Sequence, residues 1–283
     1  MRGDGTDAPP PGARLAVDGL TKSFNGRLAI EDVGFTISER ELIAVLGPSG
    51  AGKTTLFRYI AGLLSPDRGR ARLDAQDIAG ASHRRSRIAV VFQQFNLIGR
   101  LTALQNVLAG RLGHAPAWRG WLRRFERADR LLALECLDRV GLVELATERA
   151  DRLSGGQQQR VAIARALAQR PRLILADEPV ASLDPAAAED VMALLRSIGR
   201  ADGVAIVCSL HQVHFARAYA DRIIGLSQGR VVLAAPVDQF DAAAYATLYG
   251  RCGIAPDDAG RAHADGAALR PSFRTRSIPE EIP

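Results

Sequence analysis

The feature that most constrains this chain is Gly47-Pro-Ser-Gly-Ala-Gly-Lys-Thr54, set directly after the unbroken apolar run Leu42–Leu46. Such a run, closed by glycine, reads as a strand buried on both faces of a parallel sheet. Lys53–Gly62 then carries helical patterning. The glycines permit a tight turn in which successive N–H groups point inward. The helix that follows adds partial positive charge at the same place, and Lys53 adds a full one. The stretch meets G-x-x-x-x-G-K-[ST] at every fixed position, in the strand–loop–helix setting the pattern requires. It predicts a phosphate cradle, with Lys53 on the β- and γ-phosphates of a nucleotide and the Thr54 hydroxyl on Mg²⁺. The alternative, a chance glycine-rich turn, meets neither requirement by design.

Strand and helix patterns alternate around this loop. Arg14–Gly19, Ile30–Ile37, Arg87–Phe92, Leu173–Ala176, Val204–Ser209, Arg222–Leu226 and Val231–Ala234 read as strands. Pro185–Gly199 and Val213–Tyr219 read as helices. From about residue 96 to residue 169 the pattern is mostly helical. That order predicts an α/β core carrying an inserted helical subdomain. Residues 1–12 and 253–283 read as a disordered leader and tail.

Two further clusters carry chemistry. Leu173-Ile-Leu-Ala-Asp177-Glu178-Pro179 ends a buried run with two carboxylates. A carboxylate there costs desolvation unless it is paired or faces a cation. Asp177 suits Mg²⁺ and Glu178 suits general-base work on water; alone, the pair reads equally well as an acidic turn. Leu153-Ser-Gly-Gly-Gln157 opens a helical run, with Ser154 placed to cap it. Ser154 lies 101 residues after Lys53 and 23 before Asp177.

This order and spacing closely resemble the nucleotide-binding subunits of ATP-binding-cassette (ABC) transporters, over residues 14–250. The resemblance implies an ABC-type P-loop NTPase core, with an inserted helical subdomain at about 96–169 and an antiparallel β subdomain, all within residues 13–252. ATP would be held by Gly47, Pro48, Ser49, Gly50, Ala51, Gly52, Lys53, Thr54 and Thr55. Phe24 would stack on adenine, where most relatives have Tyr; a plain core aromatic is the alternative. Thr54, Gln93 and Asp177 would meet Mg²⁺. Gln93 is chosen over the adjacent Gln94 for its place directly after Phe92. Glu178, His211 and Gln93 are the implied catalytic residues. Ser154, Gly155, Gly156 and Gln157 would close on ATP held by a second copy, giving a head-to-tail homodimer, with Ser182-Leu-Asp184 communicating across it. Relatives usually have glycine where this chain has Arg40, ahead of Glu41, which puts a turn conformation in question.

A narrower resemblance, to ATPase subunits of phosphonate importers, rests on Leu210-His-Gln-Val, Ala176–Pro185, Tyr219–Leu226 and the segment from Trp118 to Phe125. His214 stands where those relatives commonly have Asp. The resemblance implies integral membrane permease subunits as direct partners and an extracytoplasmic substrate-binding protein as an indirect one. Phosphate-type anions and amino acids stay open as cargo. Trp118 and Trp121 read as a permease-docking surface or as packing within the subdomain.

The bulk numbers fit this picture. The chain has 283 residues, 47% hydrophobic and 24% charged. No apolar run approaches the ~18 residues needed to span a bilayer. The N-terminus lacks a signal peptide's apolar stretch. Three scattered cysteines, Cys136, Cys208 and Cys252, indicate a reducing compartment. These features predict a peripheral protein on the cytoplasmic face of the inner membrane. The net charge of +6 is compatible with nucleic acid or an anionic membrane face, and equally with Arg-rich ends and turns. A cassette ATPase of DNA repair or translation usually carries long coiled coils or paired cassettes, and neither pattern is here; no nucleic-acid partner is expected. A P-loop nucleotide kinase would leave Ser154–Gln157 and His211 unexplained.

Overall fold

The computed structural model describes residues 12–79, 87–113 and 125–250. The tail expected at 253–283, all but the last residue of the leader expected at 1–12, Trp118, Trp121 and Cys252 lie outside the described residues.

The five-residue run Leu42–Leu46 forms β3, fully buried. Its neighbours are β8 (Ala205–Ser209) and β9 (Arg222–Ser227), both parallel to it. With β6 (Ile88–Phe92), β7 (Leu173–Asp177) and β10 (Arg230–Pro236), they make a sheet of order β10-β9-β3-β8-β7-β6. It is parallel except for β10 against β9. Side chains alternate across it as the pleat demands. Ile43, Val45, Leu173 and Val207 face the core that holds helix α1 (Lys53–Ile60), whereas Leu42, Ala44, Ile174 and Ile206 face the helical side.

A second sheet, order β2-β1-β4-β5, is antiparallel. It is built from β1 (Ala13–Phe24), β2 (Arg27–Ser38), β4 (Arg68–Leu73) and β5 (Gln76–Asp77). Its buried residues join α1 in the same core as Ile43 and Val45. The first two strands run longer than their sequence patterns, because Asn25-Gly26, both with positive φ, closes them into a two-residue hairpin. Strand β4 is Arg-rich and carries no strand pattern; its register against β1 makes it a strand.

The helical region resolves into α2 (Ala103–Ala109), α3 (Arg127–Arg139) and α4 (Gly155–Ala168). Helix α5 (Pro185–Asp202) runs past the expected stop at Gly199 and ends where Gly203 takes a left-handed conformation. Then come α6 (Val213–Tyr219) and a short α7 (Ala242–Tyr249) that the sequence pattern did not announce. Arg40 settles the turn in question: its φ is 64°, the conformation for which glycine is suited. Among the described residues, no helix is long and apolar enough to cross a membrane.

Candidate nucleotide site

The sheet order sets the C-terminal ends of β3, β8, β7 and β6 side by side. Register makes the row specific: Val45 pairs with Ser209, Ser209 with Asp177, and Asp177 with Phe92. One or two positions beyond that row lie Gly47, His211, Glu178 and Gln93. In open α/β sheets, ligands bind in the crevice outside these carboxyl ends.

The loop after β3 is held too closely for side chains at two positions. A Cβ on Gly47, whose φ is 156°, would stand 2.1 Å from the Leu226 carbonyl oxygen. On Gly52, φ 102°, it would stand 2.6 Å from that of Ala29. The loop is thus wedged between β9 and β2, and the backbone itself forms its wall. Lys53 is buried at its head and donates to the carbonyls of Gly47 (2.6 Å) and Pro48 (3.2 Å). Burial holds its ammonium below the usual lysine range; the negative charges of Glu178 and Asp177 oppose that shift. Thr54 is exposed in the first turn of α1, and Thr55 is half-buried.

At the end of β7, Asp177 accepts a hydrogen bond from the Ser209 hydroxyl at 2.7 Å. Glu178 has φ 52°, costly for a residue with a Cβ at about 1–3 kcal/mol. Its N–H donates to the same hydroxyl at 2.9 Å. Its carboxylate lies 2.5 Å from Nε2 of His211. Gln93 and Gln94 are both exposed just past β6. The turn continues through Phe95 and Asn96, both left-handed, whose carbonyls accept from Arg165 of α4.

Ser154, Gly155, Gly156 and Gln157 are grouped elsewhere. Ser154 and Gln157 close a capping box at the exposed start of α4. A Cβ on Gly155 would lie 3.5 Å from Leu183, and one on Gly156 would meet Ala187 at 2.9 Å. This Ser154–Gln157 stretch, the signature by its resemblance to the cassette family, therefore packs on the Ser182–Asp184 loop, where Asp184 caps α5. Phe24 is exposed at the hairpin tip, with the Lys22 ammonium 5.7 Å from its ring centre. Lys22 and Ser23 are both bonded to Asp67, whose carboxyl they hold down at about 2.

Sequence reasoning missed Ser209 and Asp67. A serine inside an apolar strand and an aspartate in a turn give no linear signal; the register of β8 on β7 and the Lys22–Asp67 tie reveal them.

These residues fit a nucleotide polyphosphate: a wall of backbone that excludes Cβ atoms, a buried ammonium, and a carboxylate pair beyond it. That fit has an explanation in kinship. A family model described as ABC transporter matches residues 30–181, more than half of the chain. The chain belongs to the ABC transporter family, whose ATP-binding domain binds nucleotide. It is 50% identical over 250 residues to the phosphonates import ATP-binding protein PhnC of Thiobacillus denitrificans, covering 86% of this chain and 95% of the relative. It is 52% identical over 221 residues to the PhnC 2 protein of Trichodesmium erythraeum, covering 77% and 85%. Among solved structures it is similar to an ATP-binding cassette described as a dimer in a post-hydrolysis state bound to ADP and Pi. The TM-score is 0.68 at 36% identity, over 79% of this chain and 98% of that one. An ATP-binding cassette of an ABC transporter in its ADP conformation aligns with a TM-score of 0.75 at 25% identity, over 84% and 99%.

Proposed function

We propose that this chain is the ATP-hydrolysing subunit of an ABC importer for phosphonates. The observation that carries the hydrolytic reading is the Glu178–His211 contact, which joins the ends of β7 and β8 beside the strand β3 that leads into the Gly47–Thr54 loop. ATP is the substrate: its phosphates would lie in the loop against Lys53, and its adenine against Phe24. Mg²⁺ would be held by Thr54, Asp177 and Gln93 together with phosphate oxygens, which suits a cation that keeps few protein ligands. When bound, it neutralises charge on the transferring phosphoryl group. Glu178 orients an attacking water and accepts its proton. His211 holds the Glu178 carboxylate and faces the side where the γ-phosphate projects. Lys53 points its amine at the loop carbonyls, and the negative charges of Glu178 and Asp177 favour its protonated form against the effect of burial.

Ser154 is exposed at a capped helix start, with Gly155 half-buried beside it and Gly156 buried behind; that start would serve the site of a second copy, with Gln157 locking it. The dimer drives permease subunits from the cytoplasmic face, and the extracytoplasmic binding protein delivers cargo without touching this chain. The cargo assignment rests on the identity to phosphonate import proteins and on His211-Gln-Val.

The test is physiological. A strain that relies on this system for a phosphonate as sole phosphorus source loses growth with Lys53→Ala and keeps growth on phosphate. The partner binding protein binds phosphonate in a calorimeter. Binding of an amino acid or sugar instead overturns the cargo and leaves the ATPase reading intact.

A further inference from the structure

Ser209 is fully buried, yet it is polar and sits in the all-buried strand β8. Its register partner on β7 is Asp177. One hydroxyl makes two bonds: it donates to Oδ1 of Asp177 at 2.7 Å and accepts the N–H of Glu178 at 2.9 Å. A hydroxyl has one proton and two lone pairs, so both bonds are satisfied at once. No apolar residue could fill that space without leaving an N–H and a carboxylate oxygen short of a partner, next to a residue held at φ 52°.

On these grounds we propose that Ser209 is a positioning residue for hydrolysis: its hydroxyl fixes the angle between the two carboxylates of Asp177 and Glu178. Occupying Oδ1 of Asp177 turns the other oxygen toward the phosphate side. Gripping the Glu178 N–H holds the left-handed backbone that aims its side chain at His211. The inference rests on the reading of Asp177 and Glu178 given above and adds a third residue that acts through them. Ser209 itself touches no nucleotide; its strand pairing with Val45 on one side and Asp177 on the other keeps it inside the sheet.

The test uses the purified full chain with Ser209→Ala, Ser209→Cys and Ser209→Thr, and Glu178→Gln beside them. Cysteine fills the space but hydrogen-bonds weakly, whereas threonine keeps both bonds. Expected is a loss in kcat of about a hundredfold for Ala and Cys, the scale of a small misplacement of reacting groups. ATP affinity measured in chelator stays at the wild-type value, amide exchange at Glu178 quickens, and threonine restores turnover. Wild-type kcat in Ser209→Ala or Ser209→Cys overturns the proposal. So does a loss of ATP affinity and melting temperature in step with kcat, since that marks a plain packing role. A dead Glu178→Gln beside an active Ser209→Ala removes Ser209 alone, whereas an active Glu178→Gln removes the reading of Glu178 on which it rests.

Discussion

At the scale of single residues, two left-handed positions carry opposite meanings. Glu178 sits at φ 52° at the end of β7, held by Ser209 and His211, so its strain is tied to the site. Glu178→Gln keeps the shape but cannot take a proton from water. It is expected to bind ATP, lose about a hundredfold or more in turnover, and accumulate as an ATP-bound dimer on size-exclusion chromatography. Normal turnover would place the base elsewhere. Arg40 sits at φ 64° on the surface, in a turn closed by the Ser38 N–H on Glu41, before the N-terminal end of β3 and so at the opposite end of that strand from the Gly47 loop. Its strain serves no contact with the nucleotide site. Arg40→Gly is expected to raise stability by about 1 kcal/mol, a rise in Tm of about 2–4 °C, with unchanged ATPase rate; a lower Tm in a thermal melt would count against it. The sequence flagged Arg40 by its departure from a glycine, and the backbone shows what that departure costs.

At the scale of elements, helix α4 joins the parts of the site that the sheet alone does not connect. Its start is the signature. Gln159, fully buried in its second turn, donates to the Pro179 carbonyl just after Glu178. Arg165, half-buried, donates to the carbonyls of Phe95 and Asn96 just after Gln93. The same helix thus grips the turns that follow both β6 and β7. Arg165→Ala is expected to destabilise by about 1–2 kcal/mol, since it removes two hydrogen bonds from a charged group to partly exposed carbonyls. Arg165→Lys, which keeps the charge without the planar fork, should recover only part of it; full recovery in a denaturant titration would mean charge alone matters. None of these ties was legible in the sequence, because each links a side chain to a carbonyl some 20 to 70 residues away. What was legible is local. The run Leu42–Leu46 announced β3, and the glycines announced the loop. Asp177 and Glu178 announced the end of β7. Strand β4 was silent because Arg68, Arg70 and Arg72 mask its alternation. The hairpin turn Asn25-Gly26 was a readable signal that the pattern of apolar residues overshadowed.

At the scale of the whole molecule, the nucleotide loop and the signature occupy different surfaces of one chain. Gly47–Thr54 is wedged among β2, β3 and β9, whereas Ser154–Gly156 packs against the loop before α5. On the reading proposed above, each would be half of a phosphate site: one offers a cationic loop, the other a capped helix start with exposed Ser154. A two-fold arrangement lets both halves be used twice, since a contact from loop to signature in one direction is repeated in the other. This predicts a cross-link that distinguishes the two ways of completing the site. Ser49→Cys and Ser154→Cys are introduced together with Glu178→Gln and Cys252→Ser; Cys136 and Cys208 are buried, and burial pushes their thiols up to about 11 and about 12, which keeps them unreactive. A short bifunctional maleimide added with ATP should give a band of doubled mass on a denaturing gel, and far less of it without ATP. Separating the two new cysteines onto different copies should keep the band, because one copy then supplies the loop and the other the signature. A link formed within one chain, running at monomer mass, would mean that each copy closes its own site and that the head-to-tail dimer is wrong.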